Sequence, residues 1–200
     1  MHRTLPRMRY WDVVAPVYDL QLALERPAIE TALALVEPRS TDRLLDLATG
    51  TGAVLRALAE RVPRPTGAIG VDASAAMLAR VPTLPGGWRL VRADAGALPF
   101  PGARFDVVTC AYLLHLLEPG ARGRTLAEIG RVLAPGGRVV TVTPVAPPTR
   151  FGALIRRVAG SYLLDPRADL ERAGFGVRAA RYVRAGYPSL CVVSEPSAAR

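Results

Sequence analysis

The sequence predicts an α/β protein built on a doubly wound, mostly parallel sheet. Three observations carry the prediction. Short apolar runs alternate with longer amphipathic stretches between residues 27 and 143, the β-α-β-α rhythm of a parallel sheet covered by helices. A glycine pair, Gly50-Thr51-Gly52, directly follows the first short apolar run. The last two apolar runs, 176–184 and 189–195, are separated only by AGYP. That link is too short for a parallel crossover, so the two strands pair as an antiparallel hairpin.

Taken in order, PAIETALALVE (27–37) reads as a helix with Pro27 in its first turn, where a missing N–H costs nothing. RLLDL (43–47) is a short buried strand, and AVLRALAERV (53–62) is a helix stopped by Pro63. GAIGVD (67–72) is a strand, ASAAMLARV (73–81) a short helix and WRLVRAD (88–94) a strand. RFDVVTCAYLL (104–114) begins as a buried strand, and RGRTLAEIGRVL (122–133) is helical. APGG (134–137) turns the chain into RVVTVT (138–143), with Pro135 and Gly136 suited to the central positions of a type II turn. PRADLERAGF (166–175) is a helix ending at Gly174, ahead of the hairpin.

Two hundred residues, half of them hydrophobic, suit a single domain over 1–200. A net charge of +9 suggests an acidic partner such as nucleic acid. The arginines argue otherwise. The chain has no lysine, and its 26 basic residues are scattered from end to end. A solvated arginine-rich surface with no nucleic-acid partner is expected. Cys110 and Cys191 lie far apart inside apolar runs, as buried thiols do in a reducing cytoplasm. His2 and His115 form no metal-ligand cluster, so no metal is expected. No apolar run reaches the length of a membrane span, and the N-terminus lacks an apolar signal region. Neither stable membrane insertion nor export is expected. An oligomer is compatible with the sequence.

In an open α/β sheet, ligands bind beyond the carboxyl ends of the strands. The loop after Asp46-Leu47 lies there, and the helix from Ala53 points its N-terminal N–H groups at whatever binds. The loop is not a dinucleotide fingerprint, because Leu55 stands at the third glycine position, and a chain without lysine has no P-loop. Asp46 precedes the glycines, Asp72 ends the second strand and Asp94 the third. A carboxylate at Asp46 repels a pyrophosphate and favours an ammonium group, and Asp72 stands where a carboxylate accepts ribose hydroxyls; with Asp94, three consecutive strands end in aspartate. These carboxylates suit a ligand with an amino acid part, a ribose and a base: S-adenosylmethionine.

With these motifs the chain resembles the class I S-adenosylmethionine-dependent methyltransferases, in particular the small-molecule group that includes the ubiquinone and menaquinone C-methyltransferases. The resemblance runs from about Tyr10 to about Glu195. It implies a Rossmann-like seven-stranded sheet in the order 3-2-1-4-5-7-6, with strand 7 antiparallel. LLDLATGTG matches the first motif, which implies that Asp46, Ala48 and Gly50, with Gly52, surround the methionine part. VDAS implies Asp72 on the ribose, with Ala73, Ser74 and Met77 toward the adenine. RADAGALPFP implies Asp94 toward the exocyclic amine and Ala95 through its backbone. FDVVTCAYLLHLL matches the segment after strand four and brings in Ala111. WDVVAPVYD resembles a Tyr-Asp segment whose tyrosine, here Tyr18, covers the cofactor. LAPGGRVV and DLERAGF match the turn into strand five and the penultimate helix. The departure is Ala48, where many members carry glycine.

The resemblance further implies a cofactor-covering segment at 1–26, lid helices within 145–175 and a small, apolar or aromatic acceptor. The apolar run 151–164 fits such a lid. His115 follows the buried run after strand four, where methyl and acceptor meet. It is the candidate catalytic residue, as a base or as a shaper of the acceptor pocket, against the plainer reading of a hydrogen-bonded core histidine. Asp106, at the start of its strand, reads as structural. An RNA methyltransferase is the rival suggested by charge, but the Asn-Pro-Pro-Tyr type motif is absent after strand four. A non-catalytic cofactor-binding protein is the other.

Overall fold

The computed structural model describes residues 22–147 and 163–197. Seven strands, β1 (Arg43–Leu47), β2 (Gly67–Asp72), β3 (Arg89–Arg92), β4 (Phe105–Ala111), β5 (Leu133–Pro144), β6 (Phe175–Val183) and β7 (Ser189–Pro196), form one sheet ordered β3-β2-β1-β4-β5-β7-β6. This is the order the resemblance implied. β1 lies parallel to β2 and β4, whereas β7 runs antiparallel to β5 and β6. Among the described residues the helices are α1 (22–36), α2 (Ala53–Ala59), α3 (Ala75–Leu78), α4 (Pro119–Val132) and α5 (Arg167–Arg172), with a 3-10 turn at Leu114–Leu116.

Side-chain alternation along β1 divides the core. Leu45 and Leu47 join one apolar layer with Ile129 of α4, Leu170 of α5 and Phe175. Leu44 joins the other, with Leu33 of α1 and Leu55 and Leu58 of α2. These leucines are almost wholly buried, and each contributes roughly 1.5–3 kcal/mol by leaving water. Both faces are covered, so the strand reads as a near-continuous apolar run rather than an alternating one.

Pro27 departs from expectation. It stands inside α1, which already runs from residue 22 among the described residues. The buried face made by Ala28, Ile29, Leu33 and Val36 continues upstream to Glu25, and this packing overrides the local break. Pro119 instead takes the first-turn position of its helix, after Glu118 as N-cap. The turn at 134–137 forms as expected. It loops out of β5, so that Phe105 pairs with Leu133 but Val107 with Arg138. Gly136 has φ 73°, as the second central position of a type II turn requires. The Arg138 guanidinium donates to the carbonyls of Val36 and Glu37 and to Asp42, closing the C-terminus of α1.

Asp106 proves structural. It accepts three hydrogen bonds from Arg43, one from the backbone and two from the guanidinium, at the amino edge of the sheet. Cys110 and Cys191 are buried free thiols, and burial pushes both up to about 12. Among the described residues no helix is long and apolar enough to cross a membrane. Tyr18, the segment 1–21 and most of the expected lid, 148–162, lie outside the described residues. Of the remaining lid region, α5 packs its Leu170 into the core.

Candidate active site

The carboxyl ends of β2, β1 and β4 lie side by side, with Leu47 opposite Val71 on one flank and Cys110 on the other. The chain leaves β1 toward β2 and returns on the far side as β4, so this is the switch point of the sheet, where a crevice must open. A cavity of about 80 Å³ occupies it, bounded by Ala48 and Gly50 after β1, Asp72 and Met77 after β2, and Ala111 and Tyr112 after β4. Leu113 and Leu116 close the last side. Five of the residues singled out from the sequence therefore converge: Ala48, Gly50, Asp72, Met77 and Ala111.

Asp72 is held firmly. One carboxylate oxygen accepts the Gly50 N–H at 2.8 Å and the other the Ser74 N–H at 2.9 Å. The Ser74 hydroxyl in turn accepts the Met77 N–H and caps α3. Capping and presentation of the carboxylate thus share one turn. The loop itself winds through left-handed backbone at Ala48 (φ 54°), Gly50 (φ 56°) and Gly52 (φ 89°). At Gly52 a Cβ would also stand 2.9 Å from Val81 Cγ1. Gly52 makes the turn into α2 and does not line the cavity.

Asp46 lies beneath the loop, almost wholly buried. It accepts the Thr49 hydroxyl at 2.5 Å and the Thr109 hydroxyl at 2.6 Å. Thr109 is its direct neighbour on β4. Burial pushes the Asp46 carboxyl up to about 7, against the lowering effect of the Thr109 and Thr49 hydroxyls. Ala73 follows Asp72 into the α3 cap. Asp94, past β3, is exposed and accepts the Gly96 N–H at 2.9 Å. Ala95 lies on the same turn, and neither lines the cavity.

His115 sits in the 3-10 turn after β4 and is buried. Burial, then the nearby Arg122 charge, pushes its imidazolium down to about 4. Tyr112 has φ 55°, unusual for a bulky residue. Its ring meets His115 and Tyr187 edge-on, and its hydroxyl shares a 2.9 Å hydrogen bond with Ser189 on β7. Burial raises the phenol above its ordinary range, so it stays protonated. Arg122 of α4 holds the turn from behind. It donates to the carbonyls of Leu114 and Leu117 and to Asp169 of α5 at 2.6 Å. Sequence reasoning missed Thr109 and the wall made by Tyr112, Leu113 and Leu116. The post-β4 motif was the available signal for the wall.

This sheet order, with a glycine loop and a fixed carboxylate at the switch point, defines a Rossmann-like fold whose crevice suits a nucleoside. A family model described as a methyltransferase domain matches residues 44–137. The chain is 37% identical over 176 residues to a demethylmenaquinone methyltransferase of Thermus thermophilus, an alignment covering 82% of this chain and 77% of that protein. It is 34% identical over 182 residues to the Deinococcus radiodurans demethylmenaquinone methyltransferase, covering 78% and 74%. Its fold matches the solved 1,6-didemethyltoxoflavin-N1-methyltransferase of Burkholderia thailandensis with a TM-score of 0.66 at 20% identity, over 88% and 79% of the two chains. The chain belongs to the class I S-adenosylmethionine-dependent methyltransferases, and S-adenosylmethionine is its cofactor.

Proposed function

We propose that this enzyme methylates a small, apolar or aromatic metabolite of quinone-like character, with the donor seated at the β2-β1-β4 crevice. One observation carries the reading. Among the described residues no arginine lines this cavity, whose charged wall is the single carboxylate of Asp72. That set of groups suits a ribose diol and a cationic sulfur, and it repels phosphate. The names of the Thermus and Deinococcus relatives support a quinone-like acceptor.

The bound donor supplies an electrophilic methyl group on a cationic sulfur. Asp72, pre-aligned by two backbone N–H groups, accepts the ribose hydroxyls. Met77 and Ala111 give apolar contact to the base and the methyl side. Asp94 and Ala95, on the adjoining turn, meet the adenine edge. Asp46 acts through the loop it braces, holding Ala48, Gly50 and Gly52 in their left-handed course toward the methionine part. The protonated phenol of Tyr112 is no base. Its ring excludes water and narrows the passage between donor and acceptor. His115 stays neutral above about pH 4 and stands on the acceptor side, as a weak base or a shaper. Alignment of this kind supplies roughly 7–11 kcal/mol of a bimolecular barrier. The enzyme works in the cytoplasm without a nucleic-acid partner.

The test is calorimetric titration with S-adenosylhomocysteine, followed by transfer of an isotopically labelled methyl group to a reduced demethylnaphthoquinone. The reading expects saturable binding that Asp72→Ala weakens about tenfold or more, and label in the quinol product. Binding unaffected by Asp72→Ala would overturn the cofactor placement. Binding without transfer to any aromatic acceptor would overturn the proposed acceptor class.

A further inference from the structure

The opposite edge of the sheet carries a larger cavity, about 370 Å³, at the starts of β1, β2, β3 and β4. The volume falls within the range of small-molecule sites. It is lined by three arginines, Arg43, Arg89 and Arg104, and by the strand starts at Leu44, Gly67 and Phe105. Two of the arginines are already placed. Arg43 is clamped through Nε and Nη2 by Asp106. Arg104 lies over the Phe105 ring, 5.7 Å from its centroid, a cation–π contact that fixes the group without consuming its N–H donors. Among the described residues, Arg89 and Arg104 have no side-chain hydrogen bond or ion pair. The one acid in the wall, Asp42, is answered by Arg138 at 2.8 Å. Among the described residues the charges of Arg89 and Arg104 are therefore uncompensated, whereas the active-site cavity is lined by a carboxylate and no cation. Thr66 adds a hydroxyl at the rim.

We propose that this cavity is a second binding site, for a small phosphorylated molecule whose phosphate groups meet Arg89 and Arg104 and whose organic part fills the rest of the cavity. Guanidinium forks match phosphate oxygens in geometry as well as charge. The cavity exceeds the bulk of a single phosphate and accommodates a diphosphate ester. The site is independent of the donor crevice, from which the length of the strands separates it.

The experiment titrates the protein with inorganic pyrophosphate and with ADP at near-physiological salt. It reads heats by calorimetry and backbone amide shifts by NMR. The expected result is one saturable site, tighter for ADP than for pyrophosphate. Its amide shifts cluster at Thr66, Gly67 and Gly87 and spare Gly50 and Asp72. Arg89→Gln with Arg104→Gln weakens both probes about tenfold or more and leaves S-adenosylhomocysteine binding and the melting temperature unchanged. No saturable binding, shifts scattered over the other arginines, or equal affinity in the double variant would each sink the proposal. Shifts confined to the donor crevice would sink it too, while leaving the crevice itself intact.

Discussion

Replacing Arg122 by alanine tests how the wall of the active site is held. Arg122 is a charged side chain in a mostly apolar surrounding, only 9% exposed. It makes three directed contacts: the Leu114 and Leu117 carbonyls at either end of the 3-10 turn, and the Asp169 carboxylate. Truncation leaves the half-buried Leu117 carbonyl without its donor, at about 1–3 kcal/mol, while the Leu114 carbonyl keeps the Leu117 N–H at 3.3 Å. Breaking a buried ion pair from one side costs about 3–5 kcal/mol. The two costs overlap, and Arg172 still pairs with Asp169 after the change. The Arg172 side chain is 73% exposed, however, and an exposed pair contributes at most about 1 kcal/mol. The net expectation is a loss of about 3–4 kcal/mol. For a chain of this length that lowers the melting temperature by roughly 6–16 °C. Urea unfolding of the wild type, Arg122→Ala, Asp169→Asn and the double variant measures the total and the coupling between the two residues. A loss under about 1 kcal/mol, with additive single variants, refutes the reasoning. In that event the turn is held by the apolar packing of Leu114 alone.

Three further outcomes are expected. Asp46 has a folded-state value of about 7 against 3.8, so the native state binds its proton more tightly and stability falls as pH rises from about 4 to 7, by up to about 4 kcal/mol. Asp46→Asn flattens that decline in urea midpoints taken across the window; an unaltered slope assigns the decline to other groups. Ala48→Gly relieves a left-handed alanine (φ 54°) and raises stability by about 0.5–1 kcal/mol, read as a higher melting temperature; a lower one removes strain from the account. Gly186→Ala places a Cβ 2.1 Å from the Leu24 carbonyl oxygen at φ 69°, and the hairpin turn must leave α1. A loss of about 2–3 kcal/mol is expected, with faster amide exchange at Tyr187, whose N–H bonds Leu24. Unchanged exchange there shows that the turn accommodates the methyl.

What the sequence reveals and what it hides follow from the range of the interactions. The strand sequence and the terminal hairpin are local patterns, so alternation and loop length suffice to read them. Ala48, Gly50, Asp72, Met77 and Ala111 stand at strand ends or one turn beyond, and a motif-bearing strand end is a place that topology alone brings to the crevice. Thr109 was illegible for the opposite reason. It meets Asp46 across 63 residues of chain, and only the register of β1 on β4 pairs them. A one-residue slip would turn the Thr109 side chain to the other face. Pro27 misled in the same way. Its local preference is for a first turn, yet the buried face of α1 extends past it to Glu25. Asp46 was placed at the right loop, but its burial against two hydroxyls depends on what β4 brings, and nothing in LLDLATGTG states that.

The charge of the chain is best understood through the same long-range contacts. A lysine offers a point charge on a flexible stem, whereas a guanidinium offers five donors in a rigid fork. Several arginines use that fork on backbone carbonyls. Arg138 reaches Val36 and Glu37, Arg122 reaches Leu114 and Leu117, and Arg131 reaches Phe100 and Leu98. Each pair of carbonyls belongs to a helix end or a loop that approaches the sheet, where main-chain acceptors outnumber main-chain donors. These guanidiniums tie one layer to the next, and their positive charge is partly a by-product of that use. A net charge of +9 is therefore a poor guide to a polyanionic partner. The arginines that bear on ligands are the ones left without a carbonyl or carboxylate to hold, and Arg89 and Arg104 at the amino edge of the sheet are of that kind.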